Sequence, residues 1–117
     1  MRVPHEILRD RITLEEFAGH GAHNAIYSEP RVIRASFQTT QKLVVDSRGE
    51  SVSVDALVII RPEDGPVTVE SRVTDHGTVY RVVRCYPYPN RRRPSQYELE
   101  LARWASLSRA AGSGNGS

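Results

Sequence analysis

Apolar and polar positions alternate along most of this chain, with a period of two rather than of three or four. In Arg11–Phe17, Ile12 and Leu14 are spaced by Arg11, Thr13 and Glu15, the pattern of a half-buried strand. Arg31–Asp46 is longer and rich in β-formers (Val32, Ile33, Phe37, Thr39, Thr40, Leu43, Val44, Val45), and Val52–Arg61 reads as its antiparallel partner. Asp46–Ser51 between them is a polar hairpin tip containing Gly49. A second hairpin follows, with arms Val67–Thr74 and Thr78–Cys85 around a three-residue turn, Asp75-His76-Gly77, in which Gly77 takes the positive φ. Gln96–Trp104 is read as a closing strand, because Tyr97, Leu99 and Leu101 alternate with Glu98, Glu100 and Ala102. The same segment also fits a helix, with a Ser95-Gln96-Tyr97-Glu98 capping box and Leu101 and Trp104 at helical spacing.

The segments between are punctuated as loops. Ala18–Pro30 carries Gly19, His20, Gly21, His23, Asn24 and Ser28, with Ile26 and Tyr27 as its only large apolar residues. Pro62–Pro66 breaks the sheet, and Tyr86–Pro94 is a proline-stiffened basic loop. About six antiparallel strands at short spacing predict an all-β fold, a small β-barrel or sandwich with long loops. Residues 1–104 form the expected domain, and the Gly/Ser-rich end within 105–117 is expected to be a flexible tail.

Length and composition narrow the function. A chain of 117 residues is one domain with one modest core. No apolar stretch nears the roughly 20 residues that span a bilayer, so no membrane partner is expected. The N-terminus has no apolar signal core, and Cys85 is the only cysteine, which excludes an internal disulfide and suits the cytoplasm. The formal net charge is only +2, which argues against a polybasic nucleic-acid binder. Lys42 is the only lysine; the other basic side chains, histidine aside, are arginines, which suit planar contacts to carboxylates and phosphates.

No constellation of catalytic or metal-binding residues stands out. His20 and His23 lack the further ligands zinc needs, and the acids Asp64, Asp75, Glu98 and Glu100 form no motif. Cys85 ends a β-branched run with His76 at the far turn, so it reads as a small buried hydrophobe. Gly19-x-Gly21 is too slight for a phosphate loop. Neither an enzyme nor a cofactor is expected. Arg91, Arg92 and Arg93 follow Tyr86 and Tyr88, a grouping that suits either contact with DNA or an acidic partner, or a solvated loop. Lys42 and Arg48 flank the first hairpin's tip, beside Asp46, Gly49 and Glu50.

Taken in order, these features resemble a family. Arg9-Asp-Arg-Ile-Thr-Leu14 is followed by the Gly/His/Asn loop 19–24 and the strand entry Glu29-Pro-Arg-Val32. The long hairpin returns through Asp55-Ala-Leu-Val-Ile-Ile60, and Gly77-Thr-Val-Tyr-Arg-Val-Val83 and Glu98-Leu-Glu-Leu-Ala102 complete the set. Over residues 9–104 the chain resembles the head-closure, or head-to-tail stopper, proteins of long-tailed, siphovirus-type bacteriophages. The resemblance implies a ring, six copies favoured over twelve, below the portal and its adaptor protein. That ring closes the exit channel on packaged double-stranded DNA and docks the tail terminator or tail tube protein. The location implied is the virion neck, assembled in the host bacterial cytoplasm. It implies that the hairpin carrying Lys42, Asp46, Arg48, Gly49 and Glu50 faces the channel and DNA. It places ring, adaptor or tail contacts on Tyr27, Tyr86, Tyr88, Arg91, Arg92, Arg93 and Trp104. A tail-terminator or other neck ring, or an oligonucleotide-binding β-barrel, is the alternative.

Overall fold

The alternation becomes a wall with an inside and an outside. In the computed structural model, which describes residues 8–22, 24–46, 48–89, 92 and 94–104, six strands close into an antiparallel barrel. These are β1 (Asp10–Glu15), β4 (Arg31–Val45), β5 (Ser51–Ile60), β8 (Gln96–Arg103), β7 (Thr78–Tyr88) and β6 (Arg72–Asp75), in that spatial order. The closing strand is therefore a strand and not a helix. Closure comes from β6 pairing with β1 as well as β7, with Leu14 opposite Val73.

Register decides which residues share the interior. Ile12 faces Ile33, Ala56 faces Leu101, and Val58 faces Leu99, so apolar positions on neighbouring strands point the same way. Ile12, Leu14, Ile33, Ala35, Ala56, Val58, Ile60, Val73, Tyr80, Val82, Leu99 and Leu101 form one buried core. Phe37 packs against it with its ring 5.4 Å from that of Tyr80. Burial of each large aliphatic side chain contributes about 1.5–3 kcal/mol relative to exposure, and closure leaves the sheet without a free edge where the ring is complete.

Five expectations are corrected. The loop Ala18–Pro30 contains a two-stranded sheet of β2 (Phe17–His20) and β3 (Ala25–Tyr27), and the first strand ends at Glu15 rather than Phe17. Seryl hydroxyls hold that break: Glu16 N–H donates to Ser28 Oγ and Phe17 N–H to Ser71 Oγ, at 3.0 and 2.9 Å. The arm expected at Val67–Thr74 is a strand only over Arg72–Asp75. Glu70 takes φ 79° there and its N–H donates to Val82 O, so the chain turns before entering the barrel. The hairpin turn is two residues, His76 and Gly77, at φ 49° and 83°, because Asp75 already pairs with Thr78. Finally, β7 continues through Tyr86-Pro87-Tyr88, where a loop was expected. β6 pairs only with Thr78–Arg81, so β7 beyond it is an edge that tolerates the missing N–H of Pro87.

Candidate functional site: a hairpin docked on the barrel wall

Two bulges set the position of the long hairpin. β4 and β5 pair at Thr39 and Ala56, then resume at Lys42 and Val54, with one extra residue in β4. Such a bulge bends the strand and increases its twist. β8 covers β5 only over Ala56–Ile60, so the hairpin past the bulge leaves the barrel. A second register shift, between Val82 and Arg84 of β7, turns Val83 out of the interior. Val83 and the outward Ala102 of β8 then meet Val44 and Val52 of the hairpin in a separate small apolar cluster. The hairpin is thereby docked on the outer face of β7 and β8. Leu43 and Val45, on its other side, remain 75% and 58% exposed.

An ionic cluster fixes the same contact. Glu100 lies on the outer face of β8 yet is fully buried. Lys42 Nζ is 2.7 Å from Glu100 Oε2, and Arg84 Nε pairs with Oε1. The Glu100 carboxylate paired with it holds the Lys42 ammonium above its usual pKa range. A buried carboxylate demands such partners, since its desolvation costs several kcal/mol when unpaired. The tip beyond is also ordered from within. Asp46 Oδ1 accepts the N–H groups of Arg48 and Glu50 at 2.9 and 3.0 Å, and Gly49 N–H donates to Asp46 O. The Glu50 amide, then that of Arg48, holds the Asp46 carboxyl below its usual range. Arg48 pairs with Asp46 at 3.4 Å and with Glu50 at 3.5 Å.

Of the residues expected at the channel, Lys42 and Asp46 are thus engaged within the molecule, while Arg48, Gly49 and Glu50 form the exposed tip. Sequence reasoning missed Glu100 and Arg84. The only signal for them was the outward parity of Glu100, which local pattern alone would assign to solvent.

The expected interface residues fall into separate places. Arg72 lies between the rings of Tyr27 and Trp104, 4.1 and 5.5 Å from their centroids. Phe17 meets Tyr27 and His20 edge-on, at 6.0 and 5.2 Å. These four rings, with Ala25, Arg48 and Glu70, line a cavity of about 430 Å³. Tyr86 lines a different one of about 450 Å³, with Val45, Asp46, Val69, Val83, Arg84 and Cys85. Burial raises the Tyr86 hydroxyl above its usual range. Burial likewise raises the Cys85 thiol, whose sulfur accepts the Val67 N–H at 3.4 Å. Tyr88 and Arg92 are exposed, whereas Arg91, Arg93 and His23 lie outside the described residues.

The barrel shares its fold with a protein from a phage-like element. That structure is protein xkdH of the phage-like element PBSX of Bacillus subtilis, with a TM-score of 0.50 and 17% sequence identity. The likeness covers 84% of this chain and 96% of that one, so it takes in nearly the whole of the other molecule. No protein-family model and no curated protein matches the sequence. Among the described residues no helix is long and apolar enough to cross a membrane.

Proposed function

We propose that this chain is a structural protein of a bacteriophage neck, a head-to-tail stopper that assembles as a ring on the adaptor-loaded portal and works without catalysis. The observation that carries the reading is the barrel itself, which has the fold of a phage-element protein over almost all of that protein's length. The docked hairpin supports it. A protrusion that narrows a channel by several copies must hold its position under load, and here apolar packing and a buried ion cluster both hold it. Its tip is close to self-neutralised, with Arg48 against Asp46 and Glu50, so DNA moving past meets little net attraction. The partners of this reading are further copies of the chain, six favoured over twelve, the portal adaptor, a tail terminator or tail tube protein, and double-stranded DNA in the channel. Its location is the neck of the virion.

The test is a deletion of the gene in a phage that carries it, read by electron microscopy and DNA retention. The expected outcome is packaged heads that leak DNA and carry no tails, with ring density at the neck of complete virions. Full, stable heads with tails of aberrant length would instead place the chain at the tail terminus.

A further inference from the structure

On the side of the barrel away from the docked hairpin, three arginines stand in a row across adjacent strands. Arg11 of β1 is directly opposite Arg34 of β4. One step beyond the Ala35–Ile60 pair of β4 and β5, Arg61 continues the row. Their neighbours Ile12, Ile33, Ala35 and Ile60 point into the core, so all three arginines point outward. They line one shallow depression of about 290 Å³ together with Val32, which is 66% exposed, and Ile33.

The arrangement is costly for folding. Like charges directly opposite on paired strands are destabilising, by a fraction of a kcal/mol to about 1 kcal/mol. Elsewhere several of the described arginines have an acid beside them: Arg48 has Asp46 and Glu50, Arg81 has Glu70, and Arg84 has Glu100. Arg11 and Arg34 are both exposed, and among the described residues neither enters an ion pair. Only Arg61 is compensated, by Asp64 at 3.1 Å and Glu63 at 3.7 Å.

We propose that the Arg11–Arg34–Arg61 row is a docking site for an acidic segment of a partner protein. Guanidinium groups take carboxylates in a two-bond fork, and neighbouring strands about 4.8 Å apart present successive forks to successive acids. Exposed Val32 within the depression adds the apolar contact that protein interfaces combine with arginine. A DNA backbone fits less well. The row is short, Glu63 and Asp64 bound it at one end, and a tracking polyanion would meet those carboxylates. The assignment concerns the barrel wall and does not depend on the role proposed for the hairpin.

The experiment is fluorescence anisotropy with a labelled deca-glutamate peptide at low salt, using the full chain. A 20-base-pair duplex serves as the second probe. R11Q/R34Q is expected to weaken peptide binding at least tenfold with no loss of thermal stability. Arg34→Gln alone is expected to weaken it about threefold, and Arg103→Gln, which removes equal charge elsewhere, to leave it unchanged. Absence of measurable peptide binding, or equal losses in the Arg103 and Arg34 variants, would overturn the proposal. So would a duplex whose binding falls further than the peptide's in R11Q/R34Q, which would make the row a DNA surface. Should the double variant misfold, the comparison of Arg34→Gln with Arg103→Gln decides.

Discussion

Lys42 Nζ lies 2.7 Å from Glu100 Oε2, a contact that joins the long hairpin to the outside of the strand closing the barrel. The chain's single lysine is therefore not free to meet a polyanion. Its partner is fully buried, so the contact sits where solvent does not screen the carboxylate side. Together with Arg84 and the Val44–Val52–Val83–Ala102 cluster, it makes the hairpin part of the folded body.

The clamp makes an asymmetric prediction. Lys42→Met with Arg84→Met leaves the Glu100 carboxylate buried and uncompensated, and is expected to destabilise the fold by about 2–4 kcal/mol. Both cations are nearly half exposed, which keeps the figure below that of a sealed pair. Glu100→Gln removes the charge itself and should cost clearly less. Urea unfolding ranks the variants, and amide exchange over 41–54 should accelerate first in the double variant. Equal midpoints for the two variants would show that the apolar cluster alone holds the hairpin.

How far the sequence reveals this site follows from where the strands keep step. Ile12–Leu14 and Tyr97–Leu101 alternate without interruption, and the sides of the barrel they form can be assigned from the residues alone, whereas Ala56–Ile60 is apolar throughout and its inward side follows only from its register. Parity breaks at the bulges beside Thr39 and Val82, and each inserted residue exchanges inside for outside. Past those points no local rule tells that Val83 faces the hairpin or that Lys42 reaches Glu100. The segment Val67–Glu70 fails for another reason. Its valines and threonine favour a strand, but Glu70 at positive φ turns the chain so that β6 can close on β1. β2 and β3, at four and three residues, are too short to show a period among glycines and histidines.

Acid should loosen the hairpin tip. Amide donors from Glu50 and Arg48 hold the Asp46 carboxyl below its ordinary value near 3.9. A carboxyl depressed in the folded state contributes stability fully present above the ordinary value and lost as pH falls through the folded one. Thermal midpoints followed downward from about pH 5 should therefore fall more steeply in the wild type than in Asp46→Asn, which cannot titrate. Parallel curves would show that the tip does not contribute to acid stability.

The His76-Gly77 turn should respond in opposite directions to two substitutions. Both residues sit at positive φ, the geometry that matches the twist of paired strands. Gly77→Ala places a Cβ in that region and is expected to cost about 1 kcal/mol. His76→Asn installs the pair most favoured in this turn and should gain a few tenths of a kcal/mol to about 0.5 kcal/mol. Chemical denaturation of the two variants checks both signs, and a neutral Gly77→Ala would mean that the turn relaxes to another type.

Gly65 and Tyr97 form a contact that leaves no room for a side chain. A Cβ built on Gly65 would lie 2.4 Å from Tyr97 Cδ2 and 2.8 Å from Cγ, closer than any real contact. Tyr97 packs against the core from the first residue pair of β8 with β5, opposite Ile60, so its ring has little freedom to retreat. Gly65→Ala is expected to destabilise by about 1–3 kcal/mol through overpacking. The cost should shrink in a Tyr97→Leu background, where the ring is gone, and a double-mutant cycle measures the difference. A cycle with no coupling would mean that the chain between Pro62 and Pro66 moves aside while the tyrosine stays, and the strain would then lie in the loop rather than in the core.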